Sequence, residues 1–155
     1  KVFHQHIDLA NELGLPLIVH TRSGKTDSLE ASVDILSELK KNKPKKGGVM
    51  HCYAGPYELV RDFVNLGFYI SFNGILTFDN SGLIEKILLA TPEDRILTET
   101  DCPYLTPVPY RGQRNEPSYV EFVLQKIAEL KRRDFEELEA ITTRNAERLF
   151  HIALQ

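Results

Sequence analysis

Three short apolar runs in this chain lead into side chains that ligate metals. LPLIVH (15–20) closes on His20, GGVMHCY (47–53) carries His51, and RILTETD (95–101) closes on Asp101. Neutral imidazole and carboxylate suit zinc, manganese or magnesium with a coordination position left for water. The alternative is that each residue serves an independent role in the core or at a rim. His4-Gln5-His6 looks like a second metal motif, but Phe3, Ile7, Ala10 and Leu13 around it repeat at helical spacing. On a helix, residues i and i+2 point about 200° apart and cannot grip one ion. His4 and His6 therefore read as ordinary helix residues.

The elements that must position these groups alternate along the chain. A helix over 2–13 stops at Gly14, and the first strand follows at 15–20. A capping-box pattern at 27–30 opens a second helix that runs to about residue 41. A strand at 47–53, a helix from Pro56 to Gly67, a strand at 68–74, a helix over 81–90 and a strand at 95–101 succeed it. A Pro- and Gly-rich loop covers 102–116. Two helices close the chain, about 117–132 and 134–151, the second with a possible break at Thr142-Thr143. Strands separated by helices imply right-handed βαβ crossovers and a parallel sheet. Short apolar strands imply cover on both faces. In such folds the C-terminal strand ends face the site, so His20, His51 and Asp101 are aimed at one rim.

Composition narrows the class. The chain has 155 residues, 42% hydrophobic and 26% charged, as expected for one domain with a real core. No apolar run approaches the ~18 residues of a transmembrane helix, and no apolar segment near Lys1 suggests a signal peptide. A net charge of −3 gives no global attraction for nucleic acid. The basic run 40–46 reads as a solvated loop. Cys52 and Cys102 make no disulfide framework and read as buried structural thiols in a cytoplasmic, reducing compartment.

The blocks LPLIVHTRSG, GVMHCYAG, GFYISFNG and ILTETDCPYLTPVPYRGQRNEP resemble successive landmarks of the TatD family of metal-dependent deoxyribonucleases, which belongs to the amidohydrolase-like TIM barrels. The resemblance runs from about Phe3 to Phe150. It implies a single domain over 1–155 that is the C-terminal part of a (β/α)8 barrel, with about four strands present and the N-terminal strands absent. It also implies one or two divalent ions (Zn, Mg or Mn) held by His20, His51 and Asp101. The family's HxH at the first strand and its bridging Glu have no counterpart here. Metal binding by this chain alone is therefore expected to be weak and its catalysis low.

By this resemblance the activity is hydrolysis of phosphodiester bonds in DNA by a metal-activated water, with Asp101 binding metal and orienting or deprotonating that water. Glu99 shares a strand face with Asp101 by period two and either supports the ligands or pairs with an interior cation. Arg22, two residues past His20, holds a phosphate or forms a surface ion pair. Tyr53 and Asn73 occupy similar rim positions. Arg111, Arg114 and Asn115 contact nucleic-acid phosphate or pin the long loop. Two other readings stay open: a deacylase or amide hydrolase of the same superfamily, and a non-catalytic half-barrel that assembles with a second copy or with a missing N-terminal half.

Overall fold

The structure, a computed structural model, describes residues 1–22 and 28–152. Along them α1 (Val2–Leu13), β1 (Leu17–His20), α2 (Ser28–Lys41), β2 (Gly48–His51), α3 (Val60–Asn65), β3 (Phe68–Phe72), α4 (Leu83–Ala90), β4 (Ile96–Thr98), α5 (Val120–Lys131) and α6 (Phe135–Phe150) follow in order. The four strands form one sheet in the order β1-β2-β3-β4, every neighbour parallel. This is the parallel α/β architecture that the alternation of patterns implies.

Register divides the sheet into two faces. Val19 pairs with Met50, Met50 with Ile70 and Ile70 with Ile96. This row, with Phe68 and Phe72, is buried against Ile7 and Ala10 of α1, Leu36 and Leu39 of α2, Phe63 of α3, Ile87 of α4 and Ile127 of α5. Each fully buried large side chain contributes roughly 1.5–3 kcal/mol of transfer free energy, so this face carries most of the stability. The opposite face has an apolar row, Val49, Tyr69 and Leu97, which Leu149 and Ala146 of α6 cover. One pleat nearer the strand ends, the same face turns polar with His20, His51, Ser71 and Glu99.

Several boundaries differ from the sequence reading, each for a local reason. β1 starts at Leu17, because Pro16 has no N–H for the ladder. The helix expected from Pro56 is a 3-10 turn, Tyr57–Leu59, followed by the short α3. β4 ends at Thr98, although Glu99 N still donates to Phe72 O at 2.9 Å. α6 is unbroken through Thr142, whose hydroxyl donates to Leu138 O at 3.0 Å. Cover on both faces holds for β3 but not for β1, where Ile18 is 66% exposed. The capping box expected at 27–30 lies partly outside the described residues. Among the described residues no helix is long and apolar enough to cross a membrane.

Asn145 fastens α6 to the entrance of β4. Its buried amide donates to Glu93 O at 2.8 Å and to Ile96 O at 2.9 Å. Asn145→Ala leaves both carbonyls without that partner in a buried place. The expected loss is about 2 kcal/mol or more of unfolding free energy, read from urea denaturation, with the denaturant slope unchanged.

Candidate metal centre

The polar end of the inner face gathers the chemistry. His51 ends β2 and His20 ends β1, paired residue to residue across the ladder, with ring centroids 5.4 Å apart. His51 Nδ1 lies 2.5 Å from Glu99 Oε2, and its Nε2 lies 3.2 Å from Asp101 Oδ1. His51, Glu99 and Asp101 each offer a ligand atom within 4.8 Å of the others. Asp101 does not reach this point by strand pleating. The chain leaves β4 and places Asp101 in the left-handed region at φ 55°, as Cys52 does at φ 49° directly after His51. Aspartate tolerates that conformation better than most residues, and a left-handed residue just past a strand turns the chain sharply over the sheet end.

The proton inventory of His51 tests whether a cation fits. A neutral imidazole has one N–H and one lone pair. Both ring nitrogens face carboxylate oxygens, so a neutral ring donates to one and opposes a lone pair to the other. A cation beside Nε2 and Asp101 Oδ1 removes that opposition, with Nδ1–H donated to Glu99. A ring nitrogen that ligates while the other donates to a carboxylate is the usual arrangement in metal sites. The donor set therefore fits a divalent ion. His20, exposed on the edge strand, adds a second imidazole at the same mouth.

Polar neighbours fix the carboxylates. Ser71 Oγ donates to Glu99 Oε2 at 2.6 Å. Asn73 is buried, and its amide nitrogen lies 2.7 Å from Asp101 Oδ2, 3.5 Å from Glu99 Oε1 and 2.9 Å from Cys52 Sγ. Asn73 Oδ1 accepts from Ile75 N at 3.0 Å, which locks the amide's orientation. The 102–116 loop closes over the mouth and comes so near that a Cβ on Gly74 would sit 1.9 Å from Leu105 O. A cavity of about 630 Å³ results, lined among others by His20, Arg22, His51, Asp101 and Tyr104.

The remaining predicted residues separate into three groups. Arg22 is exposed on the cavity wall, where a phosphate contact is open to it. Tyr53 is not at the rim: it is buried against Phe63, its hydroxyl donates to Pro56 O at 2.8 Å, and burial pushes its pKa up to about 12. Asn73 holds carboxylates from beneath rather than facing solvent. On the loop, Arg111 Nη1 donates to Thr106 O while its guanidinium lies 3.8 Å from the Phe78 ring centroid. Asn115 is buried and donates to Thr100 O and Tyr104 O. Both therefore pin the loop. Arg114 is exposed beside a separate cavity with Cys102 and Pro117. Cys52 is half-buried, whereas Cys102 is exposed, contrary to the reading of both as buried. His4 pairs with Glu38 of α2, and His6 Nδ1 lies 3.0 Å from Val2 O, as suits helix residues.

Ser71 and Tyr104 were not singled out from the sequence. Ser71 was visible in principle, since Tyr69, Ser71 and Asn73 alternate onto the inner face. Tyr104, 73% exposed at the mouth, depends on how the loop folds, which local pattern does not specify.

The sequence profile of TatD related DNases matches residues 1–151. A Bacillus subtilis protein named uncharacterized metal-dependent hydrolase YabD is 48% identical over 152 residues, covering 98% of this chain and 57% of that protein. The Escherichia coli K12 protein of the same description, YcfH, is 45% identical over 150 residues, covering 97% and 54%. The crystal structure of YjjV, a TatD homologue from E. coli K12, superposes with a TM-score of 0.85 at 26% identity, over 97% of this chain and 55% of that one. The chain thus spans a little over half the length of the curated relatives it matches.

Two outcomes are expected from this geometry. Burial, and then the nearby Asp101 and Glu99 charges, push the Cys52 thiol up to about 11 despite the Asn73 hydrogen bond. At pH 8 about one Cys52 in a thousand is thiolate, against roughly a quarter for an ordinary thiol of pKa ~8.5. Iodoacetamide on the metal-free protein should label the exposed Cys102 and leave Cys52, as read by peptide mass spectrometry. Asn73→Ala removes the donor that holds Asp101 Oδ2 and should weaken zinc or manganese binding by roughly 10–100-fold in calorimetry, with little loss of helix signal.

Proposed function

The chain belongs to the TatD related DNase family, and from that premise we propose that it is the metal-holding portion of a metal-dependent hydrolase that cleaves phosphodiester bonds in DNA. The observation that carries this reading is His51 held between Glu99 and Asp101 at the strand ends. His20, His51 and Asp101 would hold the divalent ion, which supplies Lewis acidity that lowers the pKa of a water and neutralises phosphoryl charge. Asp101 keeps one carboxylate oxygen free of Asn73, so it can orient the attacking water and accept its proton. Glu99 fixes the tautomer and plane of His51 through Nδ1. Arg22 offers forked donors to the phosphate oxygens. Tyr104 presents an exposed ring on which a nucleobase can stack.

The sheet supports a further part of this reading. Ile18 projects from the same face as Val49 and Tyr69, yet α6 covers only the latter two. An uncovered apolar residue on an edge strand suits a sheet that continues into a (β/α)8 barrel, completed by further strands of the same protein or by a second copy. Metal affinity of this chain alone is then weak. The free thiols Cys52 and Cys102 suit a cytoplasmic location.

With the rest of the barrel supplied and manganese, zinc or magnesium loaded, the protein is expected to shorten a labelled oligonucleotide and to lose that activity in chelator, while the chain alone shows little of it. Asp101→Asn should lower kcat by roughly 100-fold or more, because it removes both a ligand oxygen and the proton acceptor. Arg22→Ala should raise KM about tenfold with kcat nearly unchanged. Turnover of acyl or cyclic-amide substrates with intact oligonucleotide would assign the site to amide chemistry instead.

A further inference from the structure

A second charged site lies at the other end of the strands. A cavity of about 470 Å³ opens where the chain enters β2, β3 and β4, and its lining includes Lys43, Lys45, Lys46, Arg95, Arg148 and His151 but, among the described residues, no carboxylate. Its floor is backbone. A Cβ on Gly47, at φ 64°, would lie 2.1 Å from Gly67 O, so the loops before β2 and β3 touch main chain to main chain and bring the lysines beside α6. Among the described residues no ion pair engages Lys43, Lys45, Lys46 or Arg148, and Arg95 meets only the exposed Asp94. Arg95 Nε is buried and lacks a hydrogen-bond partner, alone among buried side-chain nitrogens and oxygens of the described residues.

The ordinary explanation of such lysines is compensation of helix dipoles. The C-terminal ends of α3 and α6 border the cavity, and α2 ends two residues before Lys43. Three helix ends bring about −1.5 elementary charges in all, against five permanent cations. With Asp94 also set against Arg95, about half of the positive charge is left over, concentrated in a concave space within the ~300–1,000 Å³ range of small-molecule sites. Of the rings in the lining, Tyr69 is buried with the Arg95 guanidinium 5.1 Å from its ring centroid, and among the described residues only the exposed His151 imidazole is left to meet a nucleobase.

We propose that this cavity binds a compact anion carrying two or more phosphate groups, recognised through the phosphates, at a place separate from the metal centre. Free polyphosphate and the phosphate tail of a nucleotide share this chemistry. A concave pocket, rather than an extended basic track, favours either of them over a nucleic-acid strand. The claim rests on the basic cavity alone and not on the proposed DNA hydrolysis.

Calorimetric titration of the purified metal-free protein at 50 mM salt with inorganic tripolyphosphate, a nucleoside triphosphate and a short single-stranded oligonucleotide tests it. Tripolyphosphate is expected to saturate one site. Lys46→Glu or Arg148→Glu should weaken it roughly tenfold or more, whereas Lys86→Glu on α4 and His51→Ala at the metal centre should leave it unchanged. Equal affinity for the nucleoside triphosphate shows that phosphates alone are read; tighter binding shows that the nucleoside adds contacts to the same site. If a charge reversal fails to fold by circular dichroism, Lys46→Gln serves, with a smaller loss expected. Three results overturn the proposal: no saturation at millimolar tripolyphosphate, undiminished binding by the folded variants, or an oligonucleotide that binds more tightly and is lost in those variants.

Discussion

A single imidazole ring facing two carboxylates organises one end of this molecule. His51 carries one proton to share when neutral, and Glu99 and Asp101 both lie against its nitrogens. The two nearest side-chain donors, Ser71 and Asn73, fix the carboxylates of that trio. They donate to the carboxylates and hold them against the two His51 nitrogens. Because Ser71 lies on β3, Asn73 directly after it and the acceptors beyond β4, the site depends on the β3–β4 register. A one-residue slip would turn Ser71 and Asn73 to the helix-covered face and leave both carboxylates without donors.

That register is secured by the apolar chemistry of the other face. Phe68, Ile70 and Phe72 are buried among helices while Tyr69, Ser71 and Asn73 alternate with them. Burial of three large side chains is worth several kcal/mol, more than the ladder's net hydrogen bonding over so short a strand. The polar site is therefore positioned by residues that never touch it. Precision at the tips comes from turns instead. Cys52 and Asp101 adopt left-handed backbone immediately past their strands, and the loop at Leu105, also left-handed, packs on Gly74.

Periodicity made the alternating helices and strands legible, because each element shows its own apolar repeat, and the strand-end histidines followed from chain direction alone. His4 and His6 were also legible, since a helix cannot place neighbours two apart on one side. What failed was inference past the strand ends. Tyr53 and Asn73 both follow a strand, and nothing in local sequence says that one hydroxyl will turn inward to Pro56 O while the other residue's amide will hold the carboxylates. For Arg111 and Asn115 residue type leaves phosphate contact and loop pinning both open, and only loop closure shows them engaged with Phe78, Thr100 and Tyr104. Cys102 gave no sign of exposure, since its neighbours Asp101 and Pro103 set the turn that turns it outward.

Net charge misleads for a related reason. A total of −3 averages over two ends with opposite character. In a parallel sheet flanked by helices, helix N-termini lie toward the strand exits and helix C-termini toward the strand entrances. Among the described residues, the exits carry Glu99 and Asp101 with Arg22 as the cation on the cavity wall, and the entrances carry five cations with no carboxylate in the lining. Side-chain charge thus opposes the backbone dipole at each end, which lowers the cost of clustering like charges. The compensation differs in degree. At the exits the two carboxylates stand beside an imidazole pair, a set suited to a divalent ion. At the entrances five cations exceed what three helix ends can offset, so the excess has to be met by solvent ions or by a ligand with several negative charges of its own. The fold therefore separates a place suited to cations from a place suited to anions by the length of one short strand, and a sum over the sequence cannot register that separation.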